Sequence, residues 1–351
     1  MSQSEGTPSC HTSSPGEGSK SVRVLLPRTM STGFGLAAAA GVLVVVGLVV
    51  HQGLALVVHT LGTAGWGLLL VCLAHLPPLV CSALAWQAIL GRIWPMPAWT
   101  FIGARSIREA ANSLLPVAQV WGEMVGVRVL ALYGAGASLA GASVVVDLTL
   151  EVLTQFVFTV LGLALLVGSG HYNGTVRALA IGLMIVVPML LGFVLVQRWG
   201  LFSLLERLIG RIAVKWPALG VAKIEGLHGA IQELYRDVRR VAWSSALHFL
   251  SWVLTSGEVW LALALMGHPV TFGQALVLFS LGHAVRSAAF LIPSGLGAQE
   301  AGFIVLGSMY GLPPEVGLAL SLAIRLREVV LGVPALLFWP FLEGRRALAD
   351  R

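Results

Sequence analysis

The stretch GASLAGASVVVDLTLEVLTQFVFTVLGLALLVG, residues 136–168, decides the fold. Asp147 and Glu151 are its only charged side chains. A helix of roughly 20 apolar residues crosses a hydrocarbon core about 30 Å thick, and this run exceeds that length. A helix apolar on every face belongs in lipid or in the core of a large protein. Comparable runs at 33–57, 62–90, 176–197, 241–266 and 314–342 bring the expected full spans to six. The expected fold class is an all-α integral membrane protein.

Composition agrees. Of 351 residues, 57% are hydrophobic and 11% charged, against about 25% charged in a soluble domain. The net charge is +6, with 19 Arg and 3 Lys. Basic residues are retained on the cytoplasmic side of a membrane, which accounts for the excess. Nucleic-acid binding needs a basic face on a soluble domain, and no soluble stretch here is long enough. Cys10, Cys72 and Cys81 show neither CxxC nor zinc spacing, so no disulfide framework or metal site is expected. With no nucleotide loop and no H-E-x-x-H, no cofactor is expected either.

Residues 1–30 are rich in Ser, Gly and Pro and lack the apolar content to fold. They read as a disordered cytoplasmic tail. The run that follows is too long for a signal-peptide core and reads as a retained helix. Pro77-Pro78 should kink the second span, and Trp94-Pro95-Met96-Pro97-Ala98-Trp99 has the character of an interface. In residues 198–240, Leu201, Leu204, Leu205, Leu208, Ile209 and Ile212 form one apolar stripe. Leu227, Ile231, Leu234 and Val238 form another. Two amphipathic helices on the cytoplasmic surface are expected, and a charged connector that sets orientation is the plainer alternative.

Segments 98–133 and 271–312 are only moderately apolar and each holds a proline, with five charges in the first and two, Arg286 and Glu300, in the second. They read as re-entrant or broken helices, with a full crossing as the alternative. If each leaves and returns on one face, the basic segments 20–28, 92, 198–240 and 345–351 all fall inside. Both termini are then cytoplasmic, in a bacterial inner membrane. The division is a tail at 1–30, a first membrane half at 31–197, the surface helices at 198–240 and a second half at 241–344.

The ambiguous segments also resemble each other. With Pro116 set over Pro293, an offset of 177, LLPVAQVWGE (114–123) lies over LIPSGLGAQE (291–300). Glu123 then meets Glu300, Tyr133-Gly134 meets Tyr310-Gly311, and Glu151-Val152 meets Glu328-Val329. The repeat motifs cover 105–160 and 282–337. In the orientation above the copies run in opposite senses. Such inverted repeats let two halves rock around one central site.

Ionisable groups inside a membrane are costly and face the bundle interior or a wet cavity. Two readings stay open for them: a structural ion-pair network, or a polar cavity for a lipid headgroup. Asp147 and Glu151 share a helix face and would repel if both were charged, so one of them is either protonated or paired with an arginine, for which Arg105, Arg108 and Arg286 are candidates. Arg325 and Glu328, three apart, can neutralise each other. At 291–300, Pro293, Gly295 and Gly297 break a helix. A half-helix starting after Gly297 could hold a phosphate or carboxylate on its free amides, with Glu300 either capping it or meeting the ligand. Ser294 lacks a G-x-S-x-G context, so no catalytic residue is expected. His75, His248 and His283 read as single packed side chains. The substrate-binding set is therefore Arg108, Glu123, Asp147, Glu151, Arg286, Pro293, Ser294, Gly295, Gly297, Glu300, Arg325 and Glu328.

The run IPSGLGAQEAG, followed by Tyr310-Gly311 and the charged R-x-R-E at 325–328, resembles the membrane region of lysylphosphatidylglycerol synthases. Within that flippase-like group, the chain is similar to the membrane protein associated with hopanoid-biosynthesis gene sets. The resemblance covers roughly residues 35–342. It implies lipid translocation rather than synthesis, because the soluble aminoacyl-transfer domain of the fused synthases is absent. It also implies that Pro293, Gly295, Gly297 and Glu300 line the substrate region. The first copy, PVAQVWGE, lacks these glycines, so the half-sites need not be equivalent. The expected function is movement of a lipid or lipid precursor, of hopanoid or aminoacyl- or glyco-phospholipid type, across the inner membrane. The alternatives are a non-transporting accessory subunit of a lipid-biosynthesis complex and a lipid-modifying membrane enzyme. Expected partners are the lipid itself and lipid-biosynthesis enzymes.

Overall fold

A computed structural model of the chain describes residues 65–115, 120–170, 226–288 and 297–349, with the single positions 62 and 174. The tail 1–30, the expected spans 33–57 and 176–197, the stripe at 201–212, Pro116 and Pro293 lie outside the described residues. The described residues form helices and no strand. These are α1 (Gly67–Ala74), α2 (Leu76–Leu90), α3 (Ala98–Leu114), α4 (Val120–Leu132) and α5 (Ala137–Gly168). Then follow α6 (Leu227–Arg236), α7 (Val238–Leu265), α8 (Phe272–Ala288), α9 (Ala298–Ser308) and α10 (Pro314–Ala349).

Among the described residues three runs are long and apolar enough to cross a membrane: Gly67–Leu90, Ala137–Gly168 and Val238–Leu265. The first is divided at His75. Pro77 and Pro78 fall in the first turn of α2, where a helix start leaves N–H groups unpaired in any case. α10 is longer than any of these runs, at 36 residues, but carries Arg325, Arg327 and Glu328 in its middle.

Each ambiguous segment is a helical hairpin. In the first, Arg108 lies against Gly126 and Asn112 against Gly122. In the second, Gly282 lies against Phe303 and Arg286 against Gln299. Contacts that advance on one helix and retreat on the other mark antiparallel partners. The short helix of each hairpin ends the same way. Gly134 (φ 98°) and Gly311 (φ 75°) take the left-handed conformation that glycine adopts without cost. Ala135 N donates to Leu130 O at 3.1 Å, and Leu312 N donates to Gly307 O at 3.0 Å. This is the wrapped helix ending in which a left-handed residue satisfies late carbonyls, made twice at the offset of 177.

The same offset places α7 over α1–α2, which gives two four-part units with α6 between them. Packing follows the repeat. α3 packs on α10 and α5 on α8; α1 packs on α10 and α7 on α5; α2 and α7 pack on each other. Each contact maps onto its counterpart when the units are exchanged, as across a two-fold axis. The cores obey the same rule. Phe158 and Leu166 of α5 join the cluster built by α7, α8 and α9. Ala335, Leu336 and Trp339 of α10 pack on the cluster built by α2, α3 and α4.

Small residues set the closest approaches. A Cβ at Gly317 would meet Ile304 N and Phe303 O at 2.9 Å, and backbone atoms cannot step aside. Gly317→Ala should therefore cost about 1–3 kcal/mol as overpacking, read as a lower thermal-unfolding midpoint in detergent. An unchanged midpoint would show that α9 and α10 slide apart freely.

α6 carries the second stripe, and its apolar side faces protein. Leu227, Ile231 and Leu234 are buried in the cluster that includes α5, so that face packs on protein. Val238 does not belong to the stripe. It is 73% exposed and begins α7, because the Asp237 side chain accepts from Arg240 N at 3.2 Å and starts a new helix there.

Candidate functional site

Arg105, Arg108 and Glu109 fall at i, i+3 and i+4 on α3, one face of a helix. That face meets Glu123 of α4 and Asp147 and Glu151 of α5. Arg105 makes a two-pronged contact with Glu151, donating at 2.8 and 2.5 Å. Arg108 donates to Asp147 Oδ2 at 2.5 Å and lies 2.7 Å from Glu123 Oε2 through Nε. Its guanidinium stands 5.2 Å from the centre of the Trp86 ring. His248 Nε2 reaches the other Asp147 oxygen at 3.0 Å. Asp147 has no exposure at all, so every stabilising contact on it comes from protein.

The second unit has its own pairs. Arg286 donates to Glu328 at 2.7 Å and to Gln299 at 2.8 Å. Arg325 Nε donates to Glu300 Oε1 at 2.7 Å, and Ser321 Oγ does so at 3.2 Å. Glu300 Oε2 accepts from Gly297 N at 2.8 Å, in the first turn of α9. Gly297 has no side chain to answer, so the cap has one arm only.

His75 joins the two units. Its Nε2 lies 2.9 Å from Glu109 and its Nδ1 lies 2.9 Å from Glu258 of α7. Arg327 Nε stands 3.2 Å from Glu258, Nη2 stands 3.8 Å from Glu328, and Nη1 closes on His75 Nδ1. A continuous ionic chain thus runs from Glu123 through α3, α5, α2, α7 and α10 to Arg286. With the Arg325–Glu300 pair included, seven carboxylates face five guanidiniums, and His75 and His248 stand against the surplus acids.

Several expectations are refined by this geometry. Arg105 and Arg108 serve Asp147 and Glu151, while Arg286 serves Glu328. Arg325 and Glu328 do not neutralise each other, because the first points to the start of α9 and the second to α8. His75 and His248 are not isolated packed side chains. His75 stands where the prolines divide a helix, and that position was the signal. Glu109, Arg327 and Glu258 were outside the expected binding set; for Glu258 a lone acid inside an apolar run was the signal. Pro293, Ser294 and Gly295 lie outside the described residues.

A cavity of about 440 Å³ opens between α3, α10 and the start of α2. Its floor is His75, Glu109, Arg327 and Glu328, and its walls include Leu76, Leu79, Leu331 and Phe338. The volume is in the range of small-molecule sites. The Glu109 side chain is 34% exposed, against 10% for His75, 7% for Arg327 and 9% for Glu328. Glu109 is therefore the charge that the groove presents. Among the described residues no group of three His, Cys, Asp or Glu side chains is placed to hold a metal ion.

Comparison with curated proteins finds no match, and comparison with solved structures finds none. A family model does match, that of the lysylphosphatidylglycerol synthase TM region, over residues 34–335. A match over most of the chain, on a helical bundle with apolar spans, shows that this protein belongs to the lysylphosphatidylglycerol synthase TM region family.

Proposed function

We propose that the protein moves a lipid or lipid precursor across the inner membrane, with the amphiphile seated in the groove between α3 and α10. The observation that carries this reading is the pairing of an apolar, half-open groove with an ionic floor. Acyl chains fit the leucine-lined walls, and a polar head fits Glu109 and its neighbours. The protein performs no chemistry on the lipid, which is a hopanoid or an aminoacyl- or glyco-phospholipid made by enzymes that act beside it. Both termini face the cytoplasm, as the distribution of basic residues supports.

The test is transbilayer exchange of a dithionite-quenchable phosphatidylglycerol in proteoliposomes. Wild type should exceed protein-free vesicles. Ala335→Phe, which fills the groove beside Phe338, should slow exchange about fivefold, the equivalent of roughly 1 kcal/mol of lost apolar contact. Wild-type exchange no faster than in empty vesicles would favour an accessory subunit. An Ala335→Phe variant as fast as wild type would place the lipid elsewhere.

A further inference from the structure

The internal two-fold gives the groove a counterpart, because the α3/α10 interface maps onto α8/α5. The counterpart is shut, and at five positions the seam carries a larger residue than the groove. Gln155 stands where the groove has Gly332, and Ser287 where it has Ala110; Gln155 Nε2 donates to Ser287 Oγ at 2.8 Å. Phe158 stands where the groove has Ala335. Trp252 stands where the groove has His75, and it stacks on Phe158 with ring centres 6.4 Å apart. Ser280 packs directly on Gly162, whereas its counterpart Gly103 has open space around its Cα.

The inner end of this shut seam is built like the floor of the groove. Glu151 occupies the position of Glu328, and Arg286 that of Glu109, both in the ion network. The seal consists of side chains: the hydrogen bonds of Gln155 to Ser287 and of Trp252 to Thr154, the rings of Phe158, Trp252 and Phe279, and one serine-on-glycine contact. Side chains can change rotamer without refolding a helix. In paired-repeat transporters the two halves exchange roles around one site.

We infer that the α5/α8 seam is a second groove for the same amphiphile, closed in this conformation and opened when the α3/α10 groove closes. A lipid would leave the groove that presents Glu109 and enter one that presents Arg286. The head must therefore carry both hydrogen-bond donors and acceptors. This rests on the reading of the first groove given above.

Two measurements test it, in a background with Cys10, Cys72 and Cys81 replaced by alanine. In the first, Gln155→Cys and Ser287→Cys are joined by a short, cleavable bifunctional thiol reagent. Exchange of dithionite-quenchable phosphatidylglycerol should fall to the protein-free rate and return on cleavage. Undiminished exchange in the joined protein overturns the inference. In the second, a phosphatidylglycerol with a diazirine in one acyl chain is photolysed with wild type and with the Gln155→Ala, Phe158→Leu variant. Label should fall chiefly on α3 and α10 in the wild type and rise on α5 and α8 in the variant. A variant that is labelled on α3 and α10 alone, or nowhere, overturns the inference. Label absent from α3 and α10 but present on α5 and α8 would instead overturn the reading of the first groove.

Discussion

Arg108→Ala lowers the stability of the folded bundle by about 3–5 kcal/mol, the cost of stripping one partner from a buried ion pair. Arg108 is 2% exposed and Asp147 not at all. Truncation leaves the Asp147 carboxylate with Arg105 Nη1 at 3.6 Å and His248 at 3.0 Å, and leaves Glu123 without its closest cation. It also removes the alkyl stem that packs on Gly126 and the guanidinium that faces Trp86. The expected result is a large fall in the unfolding midpoint in detergent, with much of the protein lost on expression. Replacing both partners, Arg108→Met with Asp147→Leu, should restore much of the loss, since an apolar pair of similar size carries no desolvation cost. If the double variant is as unstable as the single one, the network contributes through Glu123 and Trp86 rather than through the Asp147 pair.

Glu109→Gln should act on transport and leave the fold nearly intact. The amide still hydrogen-bonds His75 Nε2 in either tautomer, and the side chain is 34% exposed, so little buried charge is orphaned. What is lost is the carboxylate that the groove presents to a head. A hydrogen bond to a charged group contributes roughly 1.5–3 kcal/mol, equivalent to about ten- to a hundredfold in rate. Exchange in proteoliposomes should fall by that factor with an unfolding midpoint close to wild type. Normal exchange would remove Glu109 from the lipid path, and equal losses of stability and exchange would assign it to the scaffold.

Much of the architecture was legible from apolar run length alone. The membrane class and the helices α2, α5 and α7 follow from a solvent that tolerates no unpaired backbone. The repeat was legible as well, because Tyr133-Gly134 and Tyr310-Gly311 each answer a backbone need that few residues meet. Asp147 and Glu151 could be recognised as a repelling pair, two carboxylates four apart on an apolar helix, but only the packing decided between protonation and pairing, by setting Arg105 on Glu151 and Arg108 on Asp147.

Sequence by itself thus determined that the chain is a helical membrane protein, duplicated, with charges turned inward. It could not assign partners to those charges. Arg105, Arg108, Arg286, Arg325 and Arg327 are chemically alike, and their reach exceeds a helical turn, so only helix packing decided which carboxylate each one meets. Nor could it show that one interface is a groove and its counterpart a seal. That difference depends on Ala335 against Phe158 and Gly103 against Ser280, ordinary substitutions whose meaning appears only when α10 lies on α3 and α5 on α8.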